Sequence, residues 1–128
     1  VGMSRALEWC MTGRIFDASE ALDAGLVRSV HPQGDLMDAA RALASEIAEN
    51  ASPISVAMTR AMMWRLSAQD HPMQAHRIDS RAIYRLSRGA DAKEGIASFL
   101  EKRPPEFTGK VSTDMPDFYP WWQEPEYK

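Results

Sequence analysis

The chain has 128 residues, of which 45% are hydrophobic and 26% charged, a composition typical of one globular domain. The net charge of −3 argues against a general nucleic-acid binder, which is usually basic. The single cysteine, Cys10, excludes an internal disulfide, and no apolar run approaches the roughly eighteen residues of a membrane span. We therefore expect a cytoplasmic protein with no membrane partner, in which Cys10 serves packing rather than chemistry.

Two short helices are predicted at the start of the chain. Ser4 is a candidate cap for a helix that ends before Gly13. Asp17 and Glu20 form a capping-box pattern for the second helix, and Gly25 is placed to end it.

A single strand is predicted next. Residues 26–30, with the sequence LVRSV, alternate apolar and polar side chains and are followed by His31 and Pro32. A lone strand cannot satisfy its own backbone, so this one is expected to need a partner strand from elsewhere.

The remaining helical patterns bring the expected total to five or six helices. Their predicted N-terminal signals are Asp35, Ser52 followed by Pro53, Asp70, and a second capping box made by Asp91 and Glu94. Gly89 is expected to stop the Asp70 helix, and Pro104 with Pro105 to stop the last one. The last helix has an apolar face of Ile96, Phe99 and Leu100.

The composition changes after residue 106. The segment 107–128 is rich in proline and holds six of the chain's eleven aromatic residues. Disordered tails are poor in aromatic residues, so this segment is predicted to be an extended arm that docks on another surface. The predicted domains are thus a helical region, 1–106, and an aromatic arm, 107–128.

No residue pattern indicates a catalytic or metal site. The three histidines lack metal-ligand spacing, and nucleophile-elbow, phosphate-loop and zinc motifs are absent from the sequence. Most acidic residues fall at helix starts, where carboxylates are favoured by the helix dipole alone. We assign no catalytic residue, no metal and no cofactor.

Four arginines recur along the Asp70 helix at spacings of four, four and three residues. They are Arg77, Arg81, Arg85 and Arg88. Like charges at such spacing destabilise an isolated helix by roughly 0.2–0.5 kcal/mol per pair. A solvated face and an anionic or protein partner remain alternative interpretations.

Phe99 and Lys102 lie three residues apart, so both side chains can reach one ligand. The alternative is structural, with Phe99 in a core and Lys102 interacting with the C-terminal end of its helix.

Two long stretches resemble one known family. They are MTGRIFDASEALDAGLVRSVHP, residues 11–32, and DAKEGIASFLEKRPPEF, residues 91–107. Together with the proline-led helix at Ser52, they are similar in order and spacing to the C-terminal part of the crotonase family, the enoyl-CoA hydratases and isomerases. The resemblance covers residues 1–107, and the segments 12–30 and 94–107 are its specific parts.

The resemblance implies a mainly α chain, the C-terminal helical trimerisation domain of the crotonase fold, in which the strand 26–30 pairs with a preceding half. It places Phe99 and Tyr84 in the acyl or pantetheine pocket, and Lys102 near the phosphate groups of CoA. It also implies that the oxyanion hole and the proton-transferring acids precede Val1, so that this chain alone would be inactive.

The function implied is that of a fragment of an acyl-CoA-processing enzyme, most often a hydratase that adds water to 2-enoyl-CoA. Its expected partners are an acyl-CoA thioester and further copies: a trimer or a dimer of trimers for the whole enzyme, and self-association for the fragment. The alternative is a non-catalytic helical association module derived from a crotonase.

Overall fold

The computed structural model describes residues 1–127, and the last residue of the predicted arm, Lys128, lies outside them. The described residues form six α-helices and no strand. The helices are α1 (Met3–Thr12), α2 (Ala18–Asp23), α3 (Leu36–Asn50), α4 (Pro53–Leu66), α5 (Pro72–Leu86) and α6 (Ala90–Glu101). The mainly α prediction is confirmed, and none of these helices is long and apolar enough to cross a membrane.

The chain packs as two compact units, the first covering Val1–Ala44 and the second beginning at Ser45. In the first unit, the ring of Trp9 stacks on Phe16, with centroids 4.0 Å apart and planes at 15°. The indole nitrogen of Trp9 donates to a carboxylate oxygen of Glu20 at 3.0 Å, and Arg14 pairs with the same carboxylate. This cluster joins α1 to α2.

The predicted role of Cys10 in packing is wrong, because its side chain is exposed.

The predicted strand at residues 26–30 is wrong, since these residues form a bend and an irregular segment. The backbone N–H groups of Leu26 and Val27 donate to the carbonyl of Ala21 at 2.8 and 3.4 Å. Gly25, with φ of 71°, provides the left-handed turn that brings them back over the end of α2. No strand among residues 1–127 pairs with this segment, and two of its backbone N–H groups donate to the end of α2 instead.

The second unit is built on α4 and α5. Its buried core is Ile54, Met58 and Ala82, and Met58 is fully enclosed. Ser52 and Pro53 begin α4 as predicted, because the Ser52 hydroxyl accepts from the N–H of Ser55 at 3.4 Å. The aromatic segment also belongs to this unit, and it packs on the core through Met115, Phe118, Tyr119 and Trp121.

Three predicted caps are corrected by the structure. α1 begins at Met3, so Ser4 lies inside the helix instead of capping it. α5 begins at Pro72 and is capped by His71, whose Nδ1 accepts from the N–H of Met73 at 3.0 Å. Because a residue before proline is restricted to extended backbone, the cap falls at His71 and not at Asp70. The third correction concerns α6, whose N-cap position is occupied by Gly89 and not by Asp91.

Candidate functional site

The outer face of α6 is apolar and uncovered. Ile96, Phe99 and Leu100 lie three and four residues apart and are 64%, 81% and 72% exposed. We call these three residues the α6 face. The predicted periodicity is therefore present, but the alternative placement of Phe99 in a core is wrong. Clustered apolar side chains at a surface mark an interaction site more often than isolated ones do.

Lys102 terminates this face. It is the C-cap of α6 in a left-handed conformation, with φ of 55°, and its N–H donates to the carbonyl of Phe99 at 3.4 Å. Among residues 1–127 no carboxylate lies within ion-pairing distance of its ammonium group. Within the described part of the chain, an ammonium group without a carboxylate partner thus lies at the end of an exposed apolar face, an arrangement that suits an amphiphilic anion.

Tyr84, the third predicted site residue, lies on α5 and is 64% exposed. The guanidinium of Arg88 lies over its ring, 3.5 Å from the centroid, and one face of the ring is therefore occupied. Within the described part of the chain no hydrogen bond or aromatic contact joins Tyr84 to Phe99 or Lys102. The structure places Phe99 and Lys102 one turn apart at the end of α6 and Tyr84 on a separate helix, α5.

Asp91 fixes the N-terminal end of α6. One of its carboxylate oxygens accepts from the Ser52 hydroxyl at 2.6 Å, and the other from the N–H groups of Thr108 and Gly109, both at 3.1 Å. The second predicted capping box is therefore wrong, because Asp91 lies inside the helix and ties it to α4 and to the following segment.

Glu94 holds the chain that returns along α6. Its two carboxylate oxygens accept from the guanidinium of Arg103 at 2.5 and 2.9 Å, and one of them also accepts from the N–H of Glu106 at 2.8 Å. These contacts, led by the pair with Arg103, lower the pKa of Glu94 to about 2. The carboxylate stays charged at neutral pH and closes the turn at Pro104 and Pro105.

Phe107 adds to these contacts by packing its ring against Gly95, in the middle of α6. We call the contacts made by Asp91 and Glu94 the α6 clasp. It orients the helix so that the α6 face and Lys102 are left at the surface. Sequence reasoning assigned both acids to capping and missed this role. Their i, i+3 spacing and the double proline that follows were the available signals.

An open groove of about 700 Å³ lies between α4, α5 and the start of α6. Its lining residues include the apolar Met58 and Ala82 and the polar Ser52, Asp79 and Asp91. Phe99, Lys102 and Tyr84 do not line this groove. It is therefore separate from the predicted site residues.

The carboxyl groups whose pKa values are clearly shifted are all shifted downwards. In residues 1–127 they are Asp17, Glu20, Glu94, Asp114 and Glu124. Each accepts hydrogen bonds in its charged form, which stabilises the carboxylate. Such groups are suited to holding structure in place, not to donating protons near pH 7. The same residues contain no cluster of three or more side chains suited to a metal ion.

Comparison with known proteins now places the chain in a family. The family model described as enoyl-CoA hydratase/isomerase matches residues 1–110. The chain belongs to this family, the crotonases. The match includes α6, its clasp and Lys102, and it ends before five of the six aromatic residues of segment 107–128, all except Phe107.

Curated relatives and solved structures agree with this assignment. A putative enoyl-CoA hydratase of Thermus thermophilus is 37% identical over 107 residues, which cover 84% of this chain and 42% of the relative. An enoyl-CoA hydratase of Alternaria alternata is also 37% identical, over 84% of this chain and 36% of its own length. The structure of a probable enoyl-CoA hydratase/isomerase from Mycobacterium abscessus superposes with a TM-score of 0.79 at 31% identity, covering 86% of this chain and 43% of that one.

The chain thus spans about two-fifths of the length of the relatives that it matches. The likeness to the Mycobacterium abscessus structure confirms the crotonase fold for the part that is present. The boundary predicted after residue 106 and the assignment of Phe99, Lys102 and Tyr84 to a ligand site stay predictions.

Proposed function

We propose that this chain is the C-terminal part of an enoyl-CoA hydratase, which adds water to the double bond of a 2-enoyl-CoA thioester. Family membership and the hydratase names of its relatives support this reaction class. The share of each relative that the chain covers supports the assignment to part of an enzyme.

The observation that carries the proposal is the α6 face with Lys102 at its end. Phe99 and Leu100 offer apolar area to an acyl or pantetheine chain, and the ammonium group of Lys102 offers one contact to a phosphate. An exposed contact of this kind is worth about fivefold in affinity or less, and salt weakens it. The remainder of the α6 face would pack against another subunit, and Tyr84 would contribute from α5.

The second candidate is a non-catalytic association module. It is favoured by the exposure of apolar side chains on several helices, among them Met63 and Trp64 of α4, which are 71% and 72% exposed. Such a module would keep the surfaces of the family for assembly without turning over substrate.

An assay with a short 2-enoyl-CoA separates the two candidates. Protein expressed from the complete reading frame should hydrate the substrate, and residues 1–128 alone should not, because catalysis requires preorganised donors for the thioester oxygen and acids poised for proton transfer. Absence of turnover from the complete reading frame, with assembly intact, would favour the association module. Turnover by residues 1–128 alone, with contaminating enzyme excluded, would refute the proposal that this chain does not catalyse the reaction by itself.

A further inference from the structure

A second pocket lies between the end of α4, α5 and the aromatic segment, in a region that extends beyond the family match. Its volume is about 780 Å³, within the range typical of small-molecule sites. It is lined by three arginines, two glutamines and two tryptophans besides Leu66 and Ile78: Arg65, Arg77, Arg81, Gln69, Gln74, Trp121 and Trp122. We call it the arginine–tryptophan pocket. Two of its arginines, Arg77 and Arg81, belong to the row of four arginines on α5. The sequence allowed either a solvated face or an anionic or protein partner for that row.

The charges in this pocket are unequally compensated. Arg65 pairs with the carboxylate of Glu124 and lies over the ring of Trp122, 4.5 Å from its centroid. In contrast, neither Arg77 nor Arg81 has a carboxylate partner within the described residues. Because they are one helical turn apart, they repel each other, and an anion between them would relieve that repulsion.

Arg81 is held in a defined position. Its guanidinium lies over the ring of Phe118, 4.3 Å from the centroid. Stacking uses the face of a guanidinium and leaves its in-plane N–H groups free, and those groups form the paired donors that suit phosphate oxygens. Arg81 therefore presents a fixed donor edge, and Arg77 on the preceding turn can add a second.

The aromatic wall is also fixed. Trp121 packs on the core of the unit and meets Trp122 edge to face, with centroids 4.9 Å apart. The indole nitrogen of Trp122 donates to Glu124 at 2.7 Å, whereas that of Trp121 has no acceptor among residues 1–127. A rigid indole with a free N–H next to two arginines suits a flat, nitrogen-containing ring joined to an anion.

We propose that the arginine–tryptophan pocket binds a nucleoside phosphate, with the base against Trp121 and the phosphate on Arg77 and Arg81. The amides of Gln69 and Gln74 line the same pocket and can hydrogen-bond the edge of the base. Free nucleotides and the adenosine phosphate end of CoA share this chemistry. This binding does not depend on the proposed hydratase activity.

The test is calorimetric titration of the whole chain with ADP, alongside inorganic phosphate, adenosine and CoA. ADP should bind at least about tenfold more tightly than phosphate or adenosine alone, since charged and stacking contacts act together. Arg77→Gln with Arg81→Gln should weaken ADP binding by about tenfold or more, and high salt should do the same. CoA binding that is tighter than ADP binding and falls in the same double variant would identify the coenzyme as the source. Tighter ADP binding would identify a free nucleotide.

Matched variants keep the result interpretable. Arg60→Gln changes an exposed arginine of α4 that does not line this pocket and should leave ADP binding unchanged. Trp121→Phe should reduce the quenching of tryptophan fluorescence by ADP, and single Arg77→Gln serves if the double variant is misfolded by circular dichroism. Equal ADP binding by wild type and a folded Arg77→Gln variant, or phosphate binding as tight as ADP binding, would overturn the proposal.

Discussion

At the scale of single residues, Asp91 and Glu94 show how far local rules reach. Both acids follow a helix start, and a carboxylate there is favoured by the helix dipole wherever it points. The sequence therefore predicts their location but not their partners, which lie as far as 39 residues away in the case of Ser52. Contacts over such separations depend on how α4 and α6 pack, and no local pattern encodes that.

Replacing Gly109 with alanine should destabilise the second unit. A Cβ atom there would lie 2.5 Å from a carboxylate oxygen of Asp91 and 2.7 Å from Cδ1 of Ile54, so the α6 clasp would have to move. We expect a loss of about 1–3 kcal/mol in the free energy of unfolding, measured with denaturant.

Gly95→Ala is the matched control for this substitution. Its Cβ would be 3.7 Å from the ring of Phe107, an ordinary contact inside a helix. Alanine there should stabilise by about 0.5–1 kcal/mol. A Gly109→Ala variant as stable as wild type, or more stable, would contradict the close approach at Gly109.

The ion pair of Glu94 predicts a specific dependence on pH. The native pKa of Glu94 is about 2, below the ordinary glutamate value of 4.5. Between these two values the unfolded chain binds more protons, so the contribution is complete above pH 4.5 and is lost as the pH falls towards 2. The difference in the free energy of unfolding between wild type and Glu94→Gln should become smaller as the pH falls through that interval. A difference that is constant from neutral pH to pH 2 would show that the carboxylate charge does not matter.

At the scale of elements, the positions of the helices could be predicted from the sequence more readily than the contacts that they make. The periodicity and the Ser52–Pro53 start specify α4 locally, and the structure agrees. Residues 26–30 fail as a strand because pairing is not a local property, and the end of α2 supplies a nearer acceptor. The apolar side of α6 was visible in the sequence, yet nothing in its pattern showed that this side would be left uncovered.

Two substitutions test which apolar residues hold the second unit together. Met58→Ala removes a side chain that is 0% exposed and should cost about 2–5 kcal/mol in the free energy of unfolding. Phe99→Gln changes a side chain that is 81% exposed and should alter it by less than about 0.5 kcal/mol. Thermal or denaturant unfolding of the two variants is a direct comparison, and a large loss from Phe99→Gln would place that ring in a core.

At the scale of the whole molecule, the uncovered apolar faces predict self-association. The α6 face offers contiguous apolar side chains, and such patches tend to find partners. Sedimentation velocity should show a species larger than the monomer that grows with concentration. Phe99→Gln with Leu100→Gln should reduce it, whereas Val111→Gln, at an apolar side chain 46% exposed elsewhere in the unit, should not. A monomer at every concentration would contradict this prediction.

The pairing of the α6 face with Lys102 as a contact for acyl-CoA is most directly tested by calorimetric titration with CoA. Lys102→Ala is compared with Lys93→Ala, an exposed lysine on the same helix, both with Arg77→Gln and Arg81→Gln so that the second pocket does not contribute. We predict binding about fivefold weaker for Lys102→Ala than for Lys93→Ala, with the difference disappearing at high salt. Equal affinities at low salt would contradict the assignment of Lys102 to the coenzyme site.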